Sequence, residues 1–293
     1  MSQEKTNLRR SFGDVAEAYD RARPAYPEEA LSWLVGPERQ TVLELGAGTG
    51  KLTSMLEGHG HKLLATDPLP QMLRVLSSHV TVPHVASTAE SIPVRSRSVD
   101  VVVAAQAFHW FDPDVALAEI ARVLRPGGTI SLVWNTYDVG IPWVRRLKAL
   151  ISPAEDDTTM PLMSTPHFGF VEQAEFRFWQ NHNAATLADL ARSVSYVSTM
   201  SAADRDEVLA GVGALYAEYG RGHDGMRLPW ITRCYRAVVR HQDPAPRPVP
   251  QEIPTQTSRA SSPPETAEVP EDAAAPTQRR PPDDPGMQLI DFR

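Results

Sequence analysis

The chain has a single cysteine, Cys234, among 293 residues. One thiol excludes an intrachain disulfide framework and any zinc site built on two cysteines, so no metal is expected. Basic charge is also scarce: 29 Lys and Arg stand against 36 Asp and Glu, a net charge of −7. That balance offers no basic footprint for nucleic acid. No apolar run approaches the ~18 residues of a membrane-spanning helix. Residues 1–10 are polar and carry no apolar core of a secretory signal. The expectation from these absences is a cytoplasmic, soluble protein with neither nucleic acid nor membrane as partner. Trp and Tyr are missing from the last 53 residues, which hold twelve of the 26 prolines. Such a segment buries too little apolar surface to offset its ordering entropy, so 241–293 is expected to be a disordered tail. Its end, 287–292, is a short apolar patch and a candidate docking peptide for a partner protein.

What is present centres on residues 41–50. Val42, Leu43 and Leu45 make an apolar run that Glu44 interrupts, and Gly46, Gly48 and Gly50 follow at alternate positions. Glycine at such a turn permits positive φ and lets a ligand approach bare backbone. The next helix, with Leu52, Met55 and Leu56 on one face, aims its free N–H groups at that ligand. Dinucleotide enzymes space their glycines G-x-G-x-x-G. Here Lys51 takes the third place, and the third glycine comes one residue early. Glu44 adds a negative charge that suits a cation better than a pyrophosphate.

Strands and helices then alternate. Strands are expected at 62–67, 80–86, 99–105 and 129–134, and helices at 27–35, 70–78 and 113–124. The β-branched run 99–105 reads as a central strand covered on both faces. This order implies an α/β fold with βαβ units and a parallel sheet. Further on, helices are expected at 142–151, 187–197 and 203–219. A short strand is expected around Phe176–Gln180 and a last strand at 226–239, with 152–169 as loop. Before the core, 12–19 has helical spacing with Tyr19 at its end.

Glu44-x-Gly46-x-Gly48-x-Gly50 resembles the cofactor motif of the class I S-adenosylmethionine-dependent methyltransferases. Asp67, 21 residues after Gly46 at a strand end, can accept both hydroxyls of a ribose. It would serve NAD equally, so an NAD-linked oxidoreductase stays as an alternative, beside a non-catalytic cofactor-binding protein acting through its tail. The segment 87–93 is similar to the family's adenine-side segment. Ala89, Glu90 and Pro93 match it, and Thr88 stands where the family commonly has aspartate. The loop 106–111 occupies the place that faces the methyl group. The resemblance implies Gln106 at the methionine end, and His109 is a candidate base for a hydroxyl or amine acceptor. Tyr19, Arg23, Tyr26 and Trp110 are candidate substrate contacts, in a pattern similar to trans-aconitate-type methyltransferases. In those enzymes the N-terminal segment closes over the site.

The resemblance therefore implies a Rossmann-like doubly wound sheet, mostly parallel, with helices on both faces. Its last strand inserts antiparallel between the two preceding ones. Lid helices would span 1–36, and a methyltransferase domain 37–240 with a helical cap inserted at about 140–225. S-adenosyl-L-methionine is the implied cofactor, and the acceptor a small molecule methylated at O, N or C, carboxylates included.

Overall fold

The computed structural model describes residues 23–153, 160–220 and 225–240. The expected helix at 12–19 with Tyr19, the first part of the lid, and the tail from 241 with its apolar end lie outside the described residues.

Seven strands form one sheet. Thr41–Leu45 (β1) pairs in parallel with Lys62–Asp67 (β2), which pairs with the short His84–Ala86 (β3). On its other side β1 pairs in parallel with Val99–Ala105 (β4), which pairs with Leu124–Tyr137 (β5). The order is β3-β2-β1-β4-β5-β7-β6. Here β6 is Phe168–His182 and β7 is Met226–Val239. β7 lies antiparallel between β5 and β6, with Cys234 opposite Val133 on one side and Ala174 on the other. Both its position and its bounds are those expected.

The period-2 alternation of β1 sends side chains to both faces. Val42 meets Glu28–Val35 (α1) and Lys51–Glu57 (α2) through Ala30, Leu31, Leu52 and Leu56. Leu43 and Leu45 enter the opposite core, with Leu117 and Ile120 of Pro113–Val123 (α4). Leu43 and Leu45 are fully buried, each contributing about 1.5–3 kcal/mol by removal from water. Pro70–His79 (α3) packs Leu73 and Leu76 on Ala65.

The helix expected at 187–197 is broken at Val194, whose backbone is extended, and three further expectations need correction. The strand expected at 80–86 shrinks to β3, because Val80 ends α3, its N–H bonded to the Leu76 carbonyl. The strand near Phe178 extends to fifteen residues because β7 pairs along its whole length. The stretch 152–169 is not all loop: Met160–Ser164 (α6) is helical and Phe168 already belongs to β6. Pro142–Ile151 (α5), Ala184–Ser193 (α7), Ser195–Ser198 (α8) and Ala202–Tyr219 (α9) pack as a cap. Its core joins Leu147, Leu190 and Leu215 to Trp230 of β7. No described helix is long and apolar enough to cross a membrane.

Candidate functional site

β1 is flanked by β2 on one side and β4 on the other, so the chain leaves the carboxyl ends of the sheet in opposite directions there. Ligands of open α/β sheets bind in the crevice this creates. An open cleft of about 1130 Å³ occupies that place. Its walls are the glycine turn, the end of β2, residues 87–90, the loop after β4 and the segment 23–26. The structure thus gathers Glu44, Gly46, Gly48, Asp67, Thr88, Ala89, Glu90, Gln106, Arg23, Tyr26 and Trp110 around one space.

The turn is bare where it meets the cleft. Gly46 and Gly48 have φ of +68° and +59°. A Cβ on Gly48 would have nothing within 4 Å, whereas one on Gly46 would lie 2.6 Å from the Ala107 Cβ. Gly50 departs from its expected role. It does not line the cleft; at φ +88° its Cβ would sit 2.9 Å from Leu76 Cγ, so it lets α3 close on the turn.

Asp67 fixes this geometry from β2. Its Oδ2 accepts from the Gly48 N–H at 3.0 Å and its Oδ1 from the Leu69 N–H at 2.9 Å. Each carboxylate oxygen has a second lone-pair site, so the group can still accept from a ligand. Glu44 is buried at the base of the cleft, and the Thr53 hydroxyl donates to its Oε2 at 2.6 Å. Burial pushes the Glu44 carboxyl up to about 8; the Thr53 bond opposes this and the Asp67 charge adds to it. Its environment therefore disfavours the charge expected at Glu44 unless a cation accompanies it.

The end of the cleft at the loop after β4 is held by a hydrogen-bond junction. Gln106 adopts φ +53°, a left-handed conformation rare outside glycine and costing about 1–3 kcal/mol. Its N–H donates to the Val133 carbonyl and its Nε2 to the Asn135 carbonyl at 3.2 Å. The Asn135 side chain donates to the Ala25 carbonyl at 3.1 Å and accepts from Thr232 Oγ1 at 2.6 Å. One buried asparagine thus joins β5, β7, the loop after β4 and the segment carrying Arg23 and Tyr26. Thr232→Val leaves its amide oxygen buried and unpaired, a cost of about 1–3 kcal/mol. A fall in Tm of at least ~2 °C is expected in thermal unfolding; no fall would mean that the junction carries no stability.

Arg23 reaches across to the cap, its Nη2 donating to the Ser193 carbonyl at 3.3 Å, and Lys51 Nζ donates to the Arg23 carbonyl at 2.9 Å. Glu90 bonds the Asp112 N–H through Oε1 at 2.8 Å, tying its segment to the start of α4. His109 is placed apart from the other candidates. It is exposed, does not line the cleft, and lies against Trp110 with ring centroids 4.8 Å apart. Ser87, the first residue of the segment 87–93, also lines the cleft, its hydroxyl buried without a partner; the apolar pair Leu69 and Met72 was not among the expected site residues. Among the described residues no group of three or more His, Cys, Asp or Glu could hold a metal.

These donor types suit an adenosyl amino acid. The cleft offers an apolar slot, acceptors at two strand ends, and bare backbone between them. A model of the methyltransferase domain matches residues 43–132. The chain is similar to an uncharacterized methyltransferase of Mycobacterium tuberculosis, 41% identical over 249 residues, covering 82% of this chain and 100% of that protein. It is also 36% identical over 133 residues to the malonyl-[acyl-carrier protein] O-methyltransferase of Methylococcus capsulatus, covering 41% of this chain and 48% of that one. Among solved structures, a putative type II methyltransferase from Anaeromyxobacter dehalogenans superposes with a TM-score of 0.58. It is 26% identical, over 74% of this chain and 97% of that one. The dinucleotide alternative falls with these matches. The chain belongs to the class I S-adenosylmethionine-dependent methyltransferases.

Proposed function

We propose that the chain methylates a carboxylate oxygen of a small organic acid. The observation that carries this reading is Arg23, a cation on the wall of the same cleft as Gln106 and Trp110. A guanidinium pairs a carboxylate through two parallel N–H···O bonds and so fixes its plane as well as its charge. The acceptor would then be a nucleophile without proton removal, and the exposed position of His109 agrees with a reaction that needs no base. The partial likeness to an O-methyltransferase and to the trans-aconitate-type pattern supports the same class.

S-adenosylmethionine, when bound, supplies an electrophilic methyl group on a sulfonium that leaves as a neutral thioether. The chain's part is alignment and exclusion of water, and positioning two reactants is worth ~7–11 kcal/mol of barrier. Asp67 would hold the ribose hydroxyls, with Leu69, Met72, Ser87 and Thr88 around the base. Gly46 and Gly48 admit the amino acid part, and Glu44 faces its cationic end. Tyr26, Gln106 and Trp110 would wall the acceptor.

The test is a panel of small carboxylic acids, amines and phenols with methyl-labelled donor. Label is expected on a carboxylic acid and released as methanol by mild base. Arg23→Met should raise the acceptor KM at least tenfold while leaving the affinity for S-adenosylhomocysteine within twofold. Label on an amine, or none on any acid, overturns the carboxylate reading.

A further inference from the structure

Glu44 is 3% exposed, and Asp67, which lines the same cleft from the neighbouring strand, is 7% exposed. Two carboxyl groups so buried and coupled through space are not both readily ionised without a compensating cation. Among the described residues, the charged groups facing this space are Asp67 on β2, Lys51 on α2, Arg23 on the N-terminal segment and Glu90 after β3. The Lys51 ammonium is turned to the Arg23 carbonyl and the Glu90 carboxylate to the Asp112 N–H. One Arg23 nitrogen, Nη2, donates to the Ser193 carbonyl. Only Thr53, a neutral donor, bonds the Glu44 carboxyl among the described contacts.

We infer that Glu44 carries a proton in the free cleft and releases it to solvent when the ammonium of the cofactor's amino acid end arrives. Cofactor binding is then linked to the loss of one proton. Glu44 thereby discriminates ligands that bring an ammonium from neutral nucleosides of the same adenosine part. The step balances simply: a carboxylic acid and a bound cation become an ion pair, and the proton goes to the buffer. It rests on the family's cofactor and is independent of the acceptor.

The experiment is titration calorimetry of the full chain with S-adenosylhomocysteine, whose net cationic group is the ammonium, in two buffers of equal pH and different ionisation enthalpy. The difference in observed heat counts protons. A net release of protons is expected at pH 7, and it should shrink as the pH rises through the raised range of the carboxyl. 5′-Methylthioadenosine, which lacks the amino acid part, should release none. Glu44→Gln keeps an acceptor for Thr53 and should bind S-adenosylhomocysteine at least tenfold more weakly, with buffer-independent heat. Buffer-independent heat for the unaltered chain at pH 7, equal release with 5′-methylthioadenosine, or release that survives Glu44→Gln each overturns the inference. If Glu44→Gln does not fold, the comparison of the two ligands decides alone.

Discussion

Gly46→Ala should cost the chain at least a hundredfold in affinity for S-adenosylhomocysteine, about 2.7 kcal/mol. Two effects combine. A side chain at φ +68° meets its own carbonyl, which costs about 1–2 kcal/mol in the left-handed region. The added methyl also falls 2.6 Å from the Ala107 Cβ, with the Phe111 ring at 3.8 Å behind it. The Ala107 Cβ is not the end of a flexible side chain. The turn or the loop after β4 must therefore shift, and both line the cleft. Gly60→Ala is the control. Its φ is +74° and a Cβ there meets nothing within 4 Å, and Gly60 does not line the cleft. It should lower Tm by a similar backbone cost and leave affinity unchanged. If the two variants bind alike by calorimetry, the close approach at Gly46 has no part in cofactor binding.

The same turn marks what was legible in the residues and what was not. Three alternate glycines after an apolar run announced a bare bend, but not that the third serves packing. That depends on Leu76, a residue 26 positions later whose approach no local pattern encodes. The β-branched run of β4 was plain because both its faces are buried. β6 was visible only near Phe178, because Glu172 and Gln173 interrupt the alternation and the rest is held by backbone pairing with a distant strand. Glu44 and Asp67 were identifiable by type and place. The upward shift of the Glu44 carboxyl was not, since its cause is burial, with the Asp67 charge adding to it. Asn135 was silent because a lone asparagine has no periodicity, and its meaning comes from which groups surround it.

Asp67→Ala is expected to be the most damaging single change to the cleft, with affinity for S-adenosylhomocysteine falling a hundredfold or more and Tm falling by ~4 °C or more. The stability loss follows from the two N–H groups that Asp67 holds, those of Gly48 and Leu69. Unpaired in a buried setting, each costs about 1–3 kcal/mol. The affinity loss would have two parts, a disordered Gly48 and a missing acceptor for the ribose, and a single variant does not separate them. A double-mutant cycle on the ligand does. The unaltered chain should bind the 2′-deoxy analogue of S-adenosylhomocysteine at least tenfold more weakly than the parent compound. Asp67→Ala should bind both alike, because the group that distinguishes them is gone. Asp67→Asn should keep one acceptor for the backbone, recover most of the Tm, and remain weak toward the ribose, since an amide accepts through one atom where the carboxylate uses two. Were Asp67→Ala still to prefer the 2′-hydroxyl tenfold, the ribose would be held by another group, and Asp67 would act only as the brace that orders the glycine turn.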